Sequence, residues 1–382
     1  MRFASRLSNT IIALASGLVL GVAWPTGAHA GELQFGKPGE PIELVVGYQP
    51  YYSEAWSGVV MRGKKFFEKY LPKGSKVEFQ VGLQGAIVVN NMLAGKQHIG
   101  YVGDMPAIIA TTKAETADIR IVATAGLGRD QCNVFLVRND APQFAGGEAA
   151  LRWMHGKQVA VPKGSCTDRF AQATFQKLHV QPAEYLNQNI EVITSNFRAG
   201  KIDAAVVWEP TASRLSLEGL ARRVAAGANF DETDGGFLVF RADLIKQRPD
   251  VVKAWLHAEL DAQQFLADEA NAPEVVRLAK EQTTGFSERA LWTALYGEYS
   301  AQVGGQKTRL QLPFTLTPEV RAHLERAATF LYSIKSINTA KLRSEAIAGE
   351  FAEQVLQERQ RVSPIGEVSA LPATQAPNAS NH

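Results

Sequence analysis

The chain reads as an α/β protein of two domains built on mostly parallel sheets, on three observations. Strand-like and helix-like segments alternate over most of its length, the pattern of parallel strands joined by helical crossovers. Its 382 residues leave room for two domains at roughly 150 residues each. Hydrophobic residues make up 46% and charged residues 20%, an ordinary globular balance. No internal repeat at a solenoid period appears.

Residues 1–30 stand apart. Arg2 and Arg6 precede an apolar run at 11–22, and Ala28-His29-Ala30 is a small-x-small cleavage site. This is the pattern of a secretory signal peptide, with the mature chain starting near Gly31. The run is well short of the ~20 residues that span a bilayer, and no Cys follows the site to carry a lipid. No later stretch reads as a membrane span, so the expected location is the periplasm. Lys+Arg 40 against Asp+Glu 38 gives a net charge of +2, a balance that provides no basis for nucleic-acid binding.

Residues 42–48 read as the first strand and 53–70 as a helix. A second strand covers 76–81. Residues 85–94 have helical spacing, with Ile87, Val88 and Leu93 apolar and Gly95 as the stop signal. A short strand follows at 99–102. Pro106 opens another helix, where its missing N–H costs nothing, and 119–123 is a fourth strand. After Gly126-Leu127-Gly128 a new block begins, with strands at 134–137 and 158–161, a helix at 165–178 and a buried strand at 204–208. Beyond a strand at 235–240 the pattern turns mostly helical. The helix from Pro249 carries Val251, Val252, Trp255, Leu256 and Leu260 on one face, and further helices cover 287–299 and 318–332. The tail after Val362 is rich in Ser, Pro, Ala and Asn; too poor in apolar residues to pack, it is expected to be disordered.

In such sheets ligands bind beyond the carboxyl ends of the strands. Gln49, Tyr51 and Tyr52 follow the first strand, with Glu54 and Trp56 close behind; the aromatics suit a pocket wall or plain core packing. Gln84 and Gly85 follow the second, Gln84 as a donor to an anion and Gly85 leaving helix-start amides open. Gly103-Asp104-Met105-Pro106 follows the third. Asp104 there is explained as a helix cap, worth roughly 1 kcal/mol, although the same loop offers amides to a ligand. The strongest local signal is Pro162-Lys163-Gly164-Ser165-Cys166-Thr167-Asp168, joining strand to helix. Gly164 lets a ligand approach the backbone, and Ser165 and Thr167 add hydroxyls. The helix start adds orphan N–H groups and about half a positive charge. Together they suit a sulfonate, carboxylate or phosphate; the P-loop spacing is absent. Trp208-Glu209-Pro210 ends a buried strand, with Trp208 placed to stack on a ligand and Glu209 to pair with an ammonium, or to stand as a plain surface acid. Asp234-Gly235-Gly236 is a hinge candidate. An anion-suited helix start beside several acids favours a zwitterion.

Cys132 and Cys166 are the two cysteines. In an oxidising compartment a pair tends to close; two separate buried thiols, or a catalytic Cys with a nearby base, are the alternatives, and spacing does not choose among them. His29, His98, His155, His179, His257, His323 and His382 share no metal-ligand spacing, so neither metal nor cofactor is expected. No Ser/His/Asp order or G-x-S-x-G elbow marks an enzyme.

Taken in order, Gly47-Tyr48-Gln49, Gly103-Asp104-Met105-Pro106, Val161-Pro162-Lys163-Gly164-Ser165, Asp203-Ala204-Ala205-Val206-Val207-Trp208-Glu209-Pro210 and Gly236-Phe237 resemble substrate-binding proteins of the nitrate/sulfonate/taurine (NitT/TauT) class of ABC importers. The resemblance runs over nearly all of 42–335. It implies a type II periplasmic binding protein fold, two Rossmann-like lobes with a ligand cleft between them. Residues 31–128 and the mostly helical 236–361 would form lobe I, 129–235 lobe II, and 362–382 the tail, with crossings near 128–131 and 234–237. It implies a non-catalytic monomer that captures a small anionic or zwitterionic ligand, alkanesulfonate or taurine-like, for permease and ATPase subunits. Carried over by position, Gln49, Gln84, Asp104, Ser165 and Thr167 face the anion and Trp208 and Glu209 wall the second lobe. Tyr51, Met105, Lys163, Cys166 and Asp234 complete the ligand-binding candidates. Cys166 departs from the commoner Gly-Ser-Ser pattern, which favours a bond to Cys132 in the same lobe. Two other functions share the fold. Thiamine-pyrimidine synthases use it with a Cys-rich iron-binding motif that this chain lacks, and sensory binding proteins feed a receptor rather than a permease.

Overall fold

The computed structural model describes residues 32–377; the expected signal peptide lies outside them. Twelve strands alternate with helices: β1 Glu43–Tyr48, β2 Lys76–Val81, β3 Ile99–Gly103, β4 Ile119–Gly128, β5 Val134–Arg138, β6 Gln158–Val161, β7 Glu184–Asn187, β8 Ala204–Val207, β9 Ala221–Ala226, β10 Asp234–Arg241, β11 Thr308–Leu312 and β12 Gly366–Ser369. Among the described residues they form two sheets. One has the order β12-β11-β4-β10-β3-β1-β2, the other β7-β6-β8-β5-β9. The chain leaves the first sheet at Gly128 and re-enters it at Asp234, and these two residues pair at the end of the β4–β10 ladder. Among the described residues no helix is long and apolar enough to cross a membrane.

The expected α/β alternation is present, but the sheets are mixed rather than mostly parallel. β1 pairs in parallel with β2 and β3, and β6 with β7 and β8. The strands that carry the chain between sheets run the other way: β10 is antiparallel to β3 and β4, and β5 to β8 and β9. A strand entering a sheet from its neighbour starts at the cleft end, so it must run against strands that finish there. β3 and β10 are buried throughout, as strands covered on both faces are.

The helix expected over 53–70 is broken. Helix Ser57–Lys64 ends at Lys65, whose φ of 55° is left-handed. The turn drives Phe67 inward to stack on Trp255, with centroids 5.8 Å apart and planes 9° from parallel. Trp255, with Val251, Val252, Leu256 and Leu260, is the buried face of helix Pro249–Ala267. The Trp255 indole donates to Tyr101 Oη at 3.1 Å, and that hydroxyl donates to buried Glu259 at 2.7 Å.

The tail after 362 corrects the expectation of disorder. β12 pairs antiparallel with β11, and Val368 and Leu371 are buried. Two well-spaced apolar residues suffice when an open sheet edge supplies the hydrogen bonds; average composition does not register them. Residues 378–382 lie outside the described chain.

Candidate ligand-binding site

A cleft opens where the strand ends of the two sheets face each other. Gln49 and Tyr52 follow β1, Gln84, Gly85 and Ala86 follow β2, and Gly103 ends β3 with Pro106 just beyond it. From the other side come Pro162, Lys163, Gly164, Ser165 and Cys166 after β6 and Trp208 after β8. The space is about 770 Å³, open mouth included.

Two helix starts line it. Helices Gly85–Leu93 and Cys166–Leu178 have Gln84 and Ser165 as N-caps, and neither side chain accepts from the helix amides. The Ser165 hydroxyl instead donates to Pro162 O at 2.6 Å and meets Thr167 Oγ1 at 2.6 Å. The first amides of each helix therefore keep their capacity for an anion, aided by the helix dipole. Gly85 is required there, because a Cβ would lie 2.4 Å from Pro106 Cγ. Gly164 takes a φ of +76°, a left-handed conformation that glycine adopts freely, and donates its amide to Asp168 Oδ2 at 2.8 Å. Among the described lining residues Lys163 is the charged one, and no carboxylate lines the cleft. Ala86, Val89, Pro106, Ile109, Pro162 and Trp208 make the rest largely apolar.

Of the sequence candidates, Gln49, Gln84, Lys163, Ser165, Cys166 and Trp208 line the cleft. Gln49 is held by donation from Nε2 to Tyr101 O at 3.1 Å. The others do not line it. Tyr51 turns outward, its hydroxyl 3.2 Å from Thr284 Oγ1, while its carbonyl accepts from the Trp208 indole at 3.1 Å. Met105 packs in the core, and Thr167 is fully buried. Asp104 is buried and accepts from Met105 N at 2.7 Å. It also meets His323 Nε2 at 2.9 Å and Arg169 Nη2 at 3.7 Å. Burial alone would raise its pKa, but the His323 bond and the Arg169 charge outweigh it and hold the carboxyl below its ordinary range.

Glu209 corrects the expectation of an ammonium partner. It is fully buried, accepts from Ser213 N at 2.9 Å and lies 3.5 Å from Arg223 Nη1. Arg223 also reaches Asp130 at 3.1 Å, and Asp130 is 2.6 Å from Arg309 Nη1. This four-charge knot ties β9, the outward crossing and β11 together, with Tyr299 under Arg223 at 4.0 Å. Burial pushes the Glu209 pKa up against the pull of the two arginines.

Sequence reasoning missed Val89, Asn90 and Ile109 as lining residues. Their helical spacing from Ala86 and from Pro106, at i+3 and i+4, would have placed them on the cleft face.

Behind the cleft wall sit Glu54 and Asp234, both fully buried. The hydroxyl of cleft-lining Tyr52 donates to Glu54 Oε2. Burial, above all, raises both carboxyls, Glu54 to about 8 and Asp234 well above its ordinary range; the Glu54 charge adds to the Asp234 shift, while a hydrogen bond from Asp234 pulls Glu54 back. Cys132 and Cys166 form a disulfide with a Cα separation of 6.2 Å, so the first residue of the anion-facing helix is fastened to the outward crossing. Their sulfurs and an Asp234 oxygen lie within 4.8 Å of one another, but disulfide sulfurs are not thiolates and do not bind metal. Closing a loop of sequence separation 34 is worth about 3–4 kcal/mol. Cys132→Ser/Cys166→Ser should lose that much in urea unfolding; a loss below about 1 kcal/mol would show the bond contributes little.

Residues 37–280 match the NMT1-like family. The chain is similar to the taurine-binding periplasmic protein of Escherichia coli (strain K12), 26% identical over 229 residues, 59% of this chain and 67% of that protein. It is also similar to a putative aliphatic sulfonates-binding protein of the same strain, 27% identical over 208 residues, 53% of this chain and 60% of that protein; the match spans less than two thirds of that relative's length. Among solved structures, the alkanesulfonate-binding protein SsuA from Xanthomonas axonopodis pv. citri bound to MOPS aligns with a TM-score of 0.63 at 21% identity, covering 81% of this chain and 98% of that one. At that identity the likeness is one of fold.

Proposed function

The chain belongs to the NMT1-like family, and from that premise we propose that it is the periplasmic solute-binding component of an ABC-type importer. It acts as a monomer, without catalysis, and delivers its ligand to a permease and its ATPase. The ligand is a small organic anion of the alkanesulfonate class. One observation carries the choice: two helix starts without side-chain caps and Lys163 line a cleft whose remaining walls are largely apolar. The relatives named for taurine and aliphatic sulfonates support the sulfonate head. Taurine itself fits less well, because no carboxylate among the described lining residues meets its ammonium, and an unpaired buried polar group costs about 1–3 kcal/mol. In this reading 31–128 and 236–361 form one lobe and 129–235 the other, and Gln49, Gln84, Lys163, Ser165, Cys166 and Trp208 contact the ligand. Lobe closure around the anion signals loading.

Isothermal titration calorimetry at pH 7 with hexanesulfonate, taurine and nitrate tests this. Hexanesulfonate is expected to bind at least tenfold more tightly than taurine. Nitrate binding more tightly than either, or taurine matching hexanesulfonate, would refute the ligand class.

A further inference from the structure

Glu54 and Asp234 are two carboxyl groups sealed behind an anion cleft with no cation to balance them. Both are fully buried. Glu54 Oε1 and both Asp234 oxygens lack a fixed partner, apart from the proton the two groups can share. Glu54 is seated between the two crossing strands by glycines. A Cβ at Gly128 would lie 2.8 Å from Glu54 Oε1, and one at Gly236 3.0 Å from Glu54 O. The titratable and charged groups facing the pair are Tyr52, Asp104 and Arg169. Asp104 is met by His323 at 2.9 Å. Arg169 is already committed, to Glu232 at 2.9 Å, to Thr233 O at 2.6 Å and to Asp104 at 3.7 Å. Among the described residues none is left to neutralise two more negative charges, and adjacent buried carboxylates cannot both ionise cheaply.

The pair is coupled to the cleft by two routes. Tyr52 lines the cleft and donates its hydroxyl to Glu54. Cys166 opens the anion-facing helix, and its sulfur lies within 4.8 Å of an Asp234 oxygen. Negative charge on the pair therefore falls directly under the helix turn that would hold the ligand's anionic head.

We propose that Glu54 and Asp234 together hold a proton beneath the cleft, and that losing it weakens anion capture, so that the receptor takes its ligand at neutral pH and releases it as pH rises. The coupling rests on the anion-receptor reading above; the proton-holding pair does not. The sign of the stability effect follows from linkage. The folded chain keeps a proton that unfolded carboxyls release above about pH 4. Stability contributed by the proton is complete below that pH and is lost as pH rises through the folded pKa near 8.

The test uses the full mature chain, its Asp234→Asn variant, the Glu54→Gln/Asp234→Asn double variant, and hexanesulfonate as probe. Wild-type affinity is expected to fall at least tenfold between pH 6.5 and 9, and by less than threefold in the double variant, which has neither carboxyl. Ligand-free urea unfolding should show Asp234→Asn gaining steadily on wild type from pH 5 to 9; the other buried acids with raised pKa values, Glu209 and Glu259, are common to all and cancel. Wild-type calorimetry at pH 8.5 in two buffers of different ionisation heat should show proton uptake on binding, a reading that needs no variant to fold. A variant-to-wild-type stability difference that does not move with pH overturns the proton-holding pair. An equally steep affinity loss in the double variant, or no proton uptake, overturns the coupling. No hexanesulfonate binding at any pH, with the ligand-free difference still pH-dependent, overturns the receptor reading and the coupling while the proton-holding pair stands.

Discussion

Arg309→Met is expected to destabilise the fold by about 3–5 kcal/mol at pH 7.5, the range for breaking a buried ion pair by removing one partner. Arg309 is fully buried and donates to Asp130 at 2.6 Å and to Ala294 O at 2.7 Å. The knot holds two acids, Asp130 and Glu209, against Arg223 and Arg309. With Arg309 gone, one negative charge is left without a counterpart in a dry site. Glu209, whose pKa burial already raises and Arg309 helps to pull down, is the group that can relieve this by taking a proton. The destabilisation should therefore shrink at pH 5 and grow toward pH 8. Urea unfolding across that range is the measurement, and a loss that is flat with pH would show that the knot does not act as one electrostatic unit. Adding Asp130→Asn should recover part of the loss, since it removes the stranded charge.

Gly85→Val should cost ligand affinity at least tenfold, about 1.4 kcal/mol, with a stability loss of about 1–3 kcal/mol from overpacking. The Cβ has no room: Pro106 Cγ and Cβ would lie 2.4 and 2.9 Å away. Both residues belong to the cleft wall, so strain relief must move either the start of helix Gly85–Leu93 or the Pro106 ring into the space the ligand needs. Gly146→Ala is the control, because a Cβ there meets nothing within 4 Å. Calorimetry with hexanesulfonate at pH 7 separates the two. Unchanged affinity in Gly85→Val would mean that the helix start does not touch the ligand.

The cleft was legible in the sequence wherever a strand hands over directly to a helix. Lys163, Ser165 and Cys166 lie within a few residues of β6, and the local turn decides where they point. Gln84 was legible for the same reason. Asp104 and Glu209 sit at comparable strand ends, yet Asp104 is met by a partner distant in the chain and Glu209 joins a knot that a distant pair closes. His323 faces Asp104 across |i−j| of 219, and Arg309 and Asp130 meet across 179. No local pattern carries that information. Tyr51 and Tyr52 show how fine the division is: adjacent aromatics with the same chemistry, of which Tyr52 enters the cleft while Tyr51 is taken by Thr284. The mixed direction of the sheets was hidden for a related reason. Periodicity shows that β10 is a buried strand; which neighbours it lies between depends on the whole path of the chain.

The placement of β10 and β12 also bears on the order in which the protein can fold. β10 separates β3 from β4, and β12 closes the edge beyond β11. The large sheet therefore draws on residues from 43 to 369 and cannot be completed while the later part of the chain is still being synthesised. The smaller sheet uses only residues 134–226 and needs nothing downstream. Pairings of such long sequence separation are slow to form. The larger sheet therefore stays open until the C-terminal strand has arrived, while the smaller one is free to close first.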